Sequence, residues 1–478
     1  MRGSRTIVAA ISACALMLAA CGGDDDDSSD TTSAPAPTTA APDETDAPPE
    51  TTAESPDTTE ASPDTTEASP DTTEPAAEAW AVNTDDCVDP DAANAPIEGT
   101  VNIGSAMPLT GGVAAAAFAP VKGGFEAYVA YARENGLFEG YDDINLTIAD
   151  DQYDPAQTPG AVASQIDAGA HLFSGIIGSP NNGAVRDTLN DECIPQLNAL
   201  TGSPAWGQVE DYPWTTGILV PYTVESKVYA TQIGELYPDG ASVGMFYVNN
   251  DFGQVYVDAF NEIAGDYNLE IVTEQTVEAT DSNPPTSQVT NIANEQPDVI
   301  MAVPLGAGCI SFLTELAAAK AQNAGWDPAV FITNTCASSL ILGAAGPAAD
   351  GLYTSNNLLD IGNPEVQTMP VVADYIAFME GQGLGDIITT GAAGWTTGEI
   401  TVAILNQAAQ SPEGLTRASI INAARNFTHT PSLGREGVVD KSMGVEDPYL
   451  SESLQVLQYD ADTATFTDIG SLITEFES

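Results

Sequence analysis

Positive charge is what this chain has least of. Across 478 residues, 11 Lys and Arg face 69 Asp and Glu, and the formal net charge is −58. Phosphate contacts need clustered Lys and Arg, so nucleic-acid binding is disfavoured, and acidity on this scale is read as a solubility feature. Histidine is nearly missing as well. His171 falls inside an apolar run and His429 in a polar loop, neither beside a plausible nucleophile. No GxSxG, HExxH or phosphate-cradling glycine loop occurs, so no enzyme, metal site or cofactor is expected. Long apolar runs are lacking too. No segment reaches the roughly 20 apolar residues that a permanent spanning helix needs.

The one apolar run of note is short and N-terminal. Arg2 and Arg5 precede a mostly apolar stretch from Ile7 to Leu18, followed by small residues and Cys21. A positive end, a short core and a small-residue cleavage site are the layout of a secretory signal, expected over residues 1–20. Leu18-Ala19-Ala20-Cys21 resembles the lipobox of bacterial lipoproteins. That resemblance implies cleavage before Cys21 and acylation of its sulfur and new amine. Two or more acyl chains hold far better than one, at about 0.8 kcal/mol per buried methylene. Residues 21–79 then run through Asp, Thr, Ser, Pro, Glu and Ala with almost no large apolar side chain. SPDTTE recurs three times at a period of seven from Ser55, yet no apolar residue occupies coiled-coil seam positions. With nothing to offset ordering entropy and no basic residue between Arg5 and Lys122, this stretch reads as a disordered, self-repelling tether.

Cysteine usage fits export. Cys14 leaves with the signal and Cys21 is the lipid site, which leaves Cys87, Cys193, Cys309 and Cys336. An even number in an oxidising compartment suggests two disulfides, with three possible pairings. Cys309 with Cys336 is favoured, because both fall at the same end of neighbouring parallel strands; Cys87 with Cys193 follows by elimination.

From about Trp80 onward the chain is long enough for two lobes. Apolar strand-like runs alternate with helical stretches, the pattern of parallel α/β layers. Strands are predicted over Thr100–Met107, Ile144–Ala149, His171–Ile177 and Ile194–Leu200, with helices near Ala116–Glu134 and Pro155–Ala168. The unit begins again after Tyr222: strands at Ala241–Val248, Leu269–Val277, Asp298–Val303 and Ala329–Thr333 alternate with helices at Gln254–Ala264, Pro285–Gln296 and Ser311–Asn323. Ligands of such sheets bind beyond the C-terminal strand ends, and a cleft between two lobes is the default site.

Four segments make the reading more specific: VNIGSAMPLTGG, IADDQYDPAQTPGAVASQID, GIIGSPNN and VGMFYVNNDFGQ. In this order and spacing the chain resembles the type I periplasmic binding proteins, in particular the leucine/isoleucine/valine-binding branch and its amide and urea relatives, from about Pro96 to the C-terminus. The resemblance implies two Rossmann-like lobes joined by three crossovers, with lobe one at 96–219 and 357–435 and lobe two at 220–356 and 436–478. It also implies a lipid-anchored monomer on the outer face of the cell membrane, which captures a small polar solute by hinge closure and delivers it to ABC permease and ATPase subunits.

Site residues follow from the same resemblance. Ser179 and Asn181 stand at a helix start, where free N–H groups attract anions, though capping alone would also suit them. Ala199, Leu200, Thr201 and Ser203 form the matching rim loop, with Trp206 nearby as a cleft cap or a core residue. Phe252 takes the place of an aromatic that covers the ligand on closure. Gly306 begins a loop where relatives often carry Tyr, and Trp395 is a further cleft candidate. At Asn334–Ser338 this chain departs from relatives that bind free amino acids. They place an acid there to pair with the ligand ammonium, whereas here Thr335 and Cys336 stand in the loop. A buried unpaired ammonium is costly. An ordinary branched-chain amino acid therefore fits less well than a neutral amide, a carboxylate or another small polar solute. A sensor subunit acting on a separate membrane partner, and a structural envelope protein, are the rival readings.

Overall fold

Val101, Ile103 and Ala106 are buried along one strand whose interior is covered on both faces, as parallel sheets require. In a computed structural model, which describes residues 79–474, that strand is β1 (Thr100–Met107). With β2 (Asp143–Asp150), β3 (Leu172–Ser174), β4 (Gln196–Ala199) and β5 (Thr215–Gly217) it forms a sheet of order β2-β1-β3-β4-β5. Every pairing in it is parallel. β5 escaped the sequence reading because three residues carry no detectable period. The expected signal, the expected lipid site at Cys21 and nearly all of the expected tether lie outside the described residues.

The chain then crosses to a second sheet. β6 (Ala241–Val248), β7 (Leu269–Val277), β8 (Val299–Val303), β9 (Ala329–Ile332) and β10 (Tyr353–Asn356) run parallel in the order β10-β9-β8-β6-β7. From β10 the chain returns to the first sheet, where the Ala392–Ala409 helix packs against the Ala114–Glu134 helix. Two glycines permit that approach. A Cβ on Gly124 would lie 1.9 Å from the Gly391 carbonyl oxygen, and one on Gly394 would lie 1.9 Å from that of Val121. Buried Thr401 in the same helix then bonds Ser174 of β3 at 2.8 Å and Asn198 of β4 at 3.0 Å. A hairpin of β11 (Asn426–His429) and β12 (Asp440–Met443) follows. The last crossing leads to β13 (Leu454–Asp460) and β14 (Thr465–Ile473), antiparallel additions beyond β10.

Both expected disulfides form. Cys87–Cys193, with Cα atoms 5.5 Å apart, fastens the first described residues just past the Ser179–Asp191 helix. Cys309–Cys336, with Cα atoms 6.0 Å apart, ties the start of the Ala307–Gln322 helix to the loop after β9. Among the described residues no helix is long and apolar enough to cross a membrane.

Candidate functional site

Parallel strands of one sheet all point their C-terminal ends one way, and the loops that follow them converge there. Gly178, after β3, and Leu200, after β4, meet Phe252, Leu305 and Asn334, which follow β6, β8 and β9. Between them lies a cavity of about 210 Å³, closed on a third side by the 356–361 segment and on a fourth by Thr389 to Ala393. Among measured protein cavities, one of roughly 150 Å³ accepts benzene, so this space suits a small organic molecule.

Its wall is mainly apolar: Phe118, Leu200, Leu219, Phe252, Leu305 and Ile341 make up much of it. Tyr153 reaches the wall through two successive non-glycine residues at positive φ, Gln152 (56°) and Tyr153 (60°). Such a conformation persists only where its surroundings impose it. Buried Asp151 does so, accepting the Tyr153 N–H at 3.1 Å, Thr158 Oγ1 at 2.9 Å and Asn181 Nδ2 at 2.9 Å. Burial pushes the Tyr153 and Tyr222 phenols well above their ordinary range, so both wall tyrosines stay neutral. Polar groups come from Asn334, Thr335, Ser338, Asn356 and Asp360, and no Lys, Arg or His lines the cavity among the described residues.

Of the residues singled out in the sequence, Leu200, Phe252 and Thr335 stand in the wall. Phe252 is 1% exposed and packs on Tyr222 and Tyr256, with ring centroids 5.2 and 5.7 Å away. The others lie beside or behind the wall. Ser179 Oγ pairs with Thr201 Oγ1 at 2.8 Å, Asn181 supports Asp151, Ala199 is fully buried in β4, and Ser203 caps a short 3-10 turn. Gly306 is an interlobe contact instead: its φ is +56°, and a Cβ there would lie 2.2 Å from the Val113 carbonyl oxygen. That same oxygen accepts the Ala307 N–H at 3.0 Å. Neither tryptophan faces the cavity. Trp206 is buried beneath the Arg186 guanidinium, and Trp395 is locked among Tyr128, Tyr131, Tyr375 and Phe378.

Sequence reasoning missed Tyr153, Tyr222, Asn334 and Asp360 as wall residues. Tyr153 was within a recognised segment, DDQYDPAQ, but nothing local marks which of its residues turns inward. His429 is the one histidine near a carboxylate and a hydroxyl, away from the cavity. Its Nε2 lies 3.0 Å from Glu399 Oε1, and Ser432 Oγ donates to the same carboxylate at 2.6 Å. With Glu399 between Ser and His, the imidazole is not placed to take the serine proton as a nucleophilic triad would require.

The sequence from 100 to 463 matches the family model described as periplasmic binding protein. No match is found among curated protein sequences. Among solved structures, a branched chain amino acid ABC transporter protein from Thermus thermophilus with bound valine superposes with a TM-score of 0.70 at 17% identity, covering 79% of this chain and 97% of that one. A fatty acid ABC transporter substrate-binding protein from Thermomonospora curvata gives 0.65 at 18% identity, covering 80% and 95%. A solute-binding protein of an R. palustris ABC transporter in complex with benzoate gives 0.64 at 17% identity, covering 79% and 98%. These likenesses extend to the fold, an α/β arrangement of parallel-sheet lobes. The chain belongs to the periplasmic binding proteins, of the type I architecture.

Proposed function

We propose that this protein is the extracytoplasmic, lipid-anchored solute receptor of an ABC importer. In this reading Cys21 carries the anchor and the acidic tether gives reach from the membrane. The observation that carries the proposal is the cavity itself, built from the C-terminal strand ends of both sheets and from the crossover segments. A solute held there touches both lobes at once, so binding favours the closed arrangement, which a permease then reads. The rigid bodies are residues 96–219 with 357–435, and 220–356 with 436–478. The β11–β12 hairpin argues for moving the last boundary to just before Leu454.

The lining supports a revision of the solute class. A small, wholly polar molecule would leave Phe118, Leu219 and Ile341 facing nothing apolar, whereas a molecule with an apolar body and a polar head uses the whole wall. Valine, fatty acid and benzoate, named for the structural neighbours, share an apolar body. Phe252, Leu200 and Thr335 are the sequence-derived residues we assign to direct contact. Ser179, Asn181, Thr201 and Ser203 support the wall from behind.

A thermal-shift screen of the full chain against small amines, amides, amino acids, aliphatic acids and aromatic acids tests the proposal, followed by X-ray scattering with any hit. A ligand at 100 times its dissociation constant adds about 2.7 kcal/mol, a readily seen shift. A shift with one class, accompanied by compaction, is the expected result. No shift with any class would count against a solute receptor.

A further inference from the structure

Nine basic residues lie from Lys122 onward, and none lines the cavity. A carboxylate in this wall would find no cation to pair with. Among the described residues, the one charged side chain in the wall is acidic: Asp360, on the segment that follows β10. Its Oδ1 accepts Ser339 Oγ at 2.8 Å and the Gly362 N–H at 3.1 Å. Its Oδ2 is sealed from water and has no hydrogen-bond partner. An acid incompletely compensated by its own partners, in the wall of a solute-sized space without a base, favours a solute that brings positive charge beside it. The guanidinium of Arg435 is the nearest compensating charge and favours the ionised Asp360 carboxylate, but its ion pair is with Asp468 rather than Asp360.

A second acid stands behind the wall. Glu225 is fully buried and accepts four hydrogen bonds, from Tyr229, Tyr256, Ser355 and the Asn334 backbone N–H. Asn334 and Tyr222, which separate it from the cavity, bring no positive charge. The electrostatic character of the site is therefore one-sided, with acids and neutral donors or acceptors but no base.

We infer that the solute carries a cationic, hydrogen-bond-donating head, such as an ammonium group, on an apolar body, and that Asp360 is the carboxylate that receives the head. This rests on the cavity being the solute site. Asp360 occupies a crossover segment, so the charge that reads the solute belongs to the hinge side of the cleft rather than to the 334–338 loop. A solute bearing only a carboxylate head is rejected, because it would bring a second negative charge to an unpaired one.

Three probes of equal length isolate the head group: hexylamine, hexanamide and hexanoate, titrated calorimetrically into the full-length protein at neutral pH. Hexylamine is expected to bind at least about tenfold more tightly than hexanoate. Asp360→Asn should erase that preference, and Asp360→Glu should keep part of it. Unliganded melting temperatures of both variants check that the fold survives. Equal or tighter binding of hexanoate or hexanamide overturns the inference and leaves the solute-receptor reading standing. Hexylamine affinity unchanged in folded Asp360→Asn does the same. If none of the three binds and the wider screen is also blank, the receptor reading fails, and this inference with it.

Discussion

The Asn334 backbone N–H donates to Glu225 Oε1 at 2.7 Å, so a carboxylate on a second-lobe helix sets the position of a loop in the cavity wall. The same carboxylate gathers Tyr229, Tyr256 and Ser355, which joins helices, sheet and loop in one buried network. Burial pushes Glu225 above the ordinary carboxyl range, while the donors pull it back. Glu225→Ala leaves several buried donors without an acceptor, and about 2–4 kcal/mol of stability should be lost in urea denaturation. Solute affinity should weaken with it, because the 334–337 loop loses its anchor.

The cavity can be filled without touching that network. Ala337 lines it and is only partly buried, so Ala337→Phe adds a ring to the space with little effect on the core. Solute binding should fall by at least about tenfold, or 1.4 kcal/mol, with a melting temperature close to that of the parent. Unchanged affinity for a ligand identified in the screen would place that ligand elsewhere.

Gly306 meets Val113 across the two lobes, and no side chain fits between them. Gly306→Val therefore opposes the closed arrangement, and its positive φ adds local strain. Scattering of the unliganded variant should report a larger radius than the parent, and solute affinity should drop. An identical scattering curve would show that this contact is not needed for closure.

The Cys309–Cys336 bridge spans 27 residues of sequence and holds the loop that carries Thr335 and Ala337. Loop-closure entropy at that separation amounts to about 3–4 kcal/mol. The double variant Cys309→Ala, Cys336→Ala is expected to lose stability of that order in denaturant titration and to bind solute less tightly.

Asp440 gives the fold a pH dependence with a definite sign. It is buried on β12 with Oδ1 lacking a partner. Desolvation first, with Glu399 adding to it, pushes its carboxyl from 3.8 up to about 7, against opposing effects of Ser451 and His429. The folded chain therefore holds the proton more tightly than the unfolded chain. This contribution is complete below the unfolded value and is lost as pH rises from about 4 to about 7, a decline of up to about 4 kcal/mol. Asp440→Asn should flatten that decline in melting temperature and make the protein more stable than the parent at alkaline pH.

Much of the architecture was legible along the chain, because it depends on short-range periodicity. Val101, Ile103 and Ala106 announce β1, and the same logic identifies β6 to β9. The cysteine pairing was legible for a related reason: once strands run parallel, the segments that follow β8 and β9 and carry Cys309 and Cys336 must emerge at one end. Ser179 and Thr201, expected to meet the ligand, follow β3 and β4 and turn their hydroxyls toward each other.

What the sequence by itself determined is the class of fold, the acidic character, and the end of the sheets where a site forms. The tertiary structure alone decided the character of that site. Tyr153, Leu219, Phe252, Ile341 and Asp360 come from separate segments, and only packing brings them around one cavity. Whether a polar side chain faces a solute or a neighbour depends on partners distant in the chain, as with Asn181 on Asp151 and Asp360 at the cavity wall. Local periodicity contains no information about those partners, and so the polar rim expected from the sequence became a largely apolar wall with a single acid.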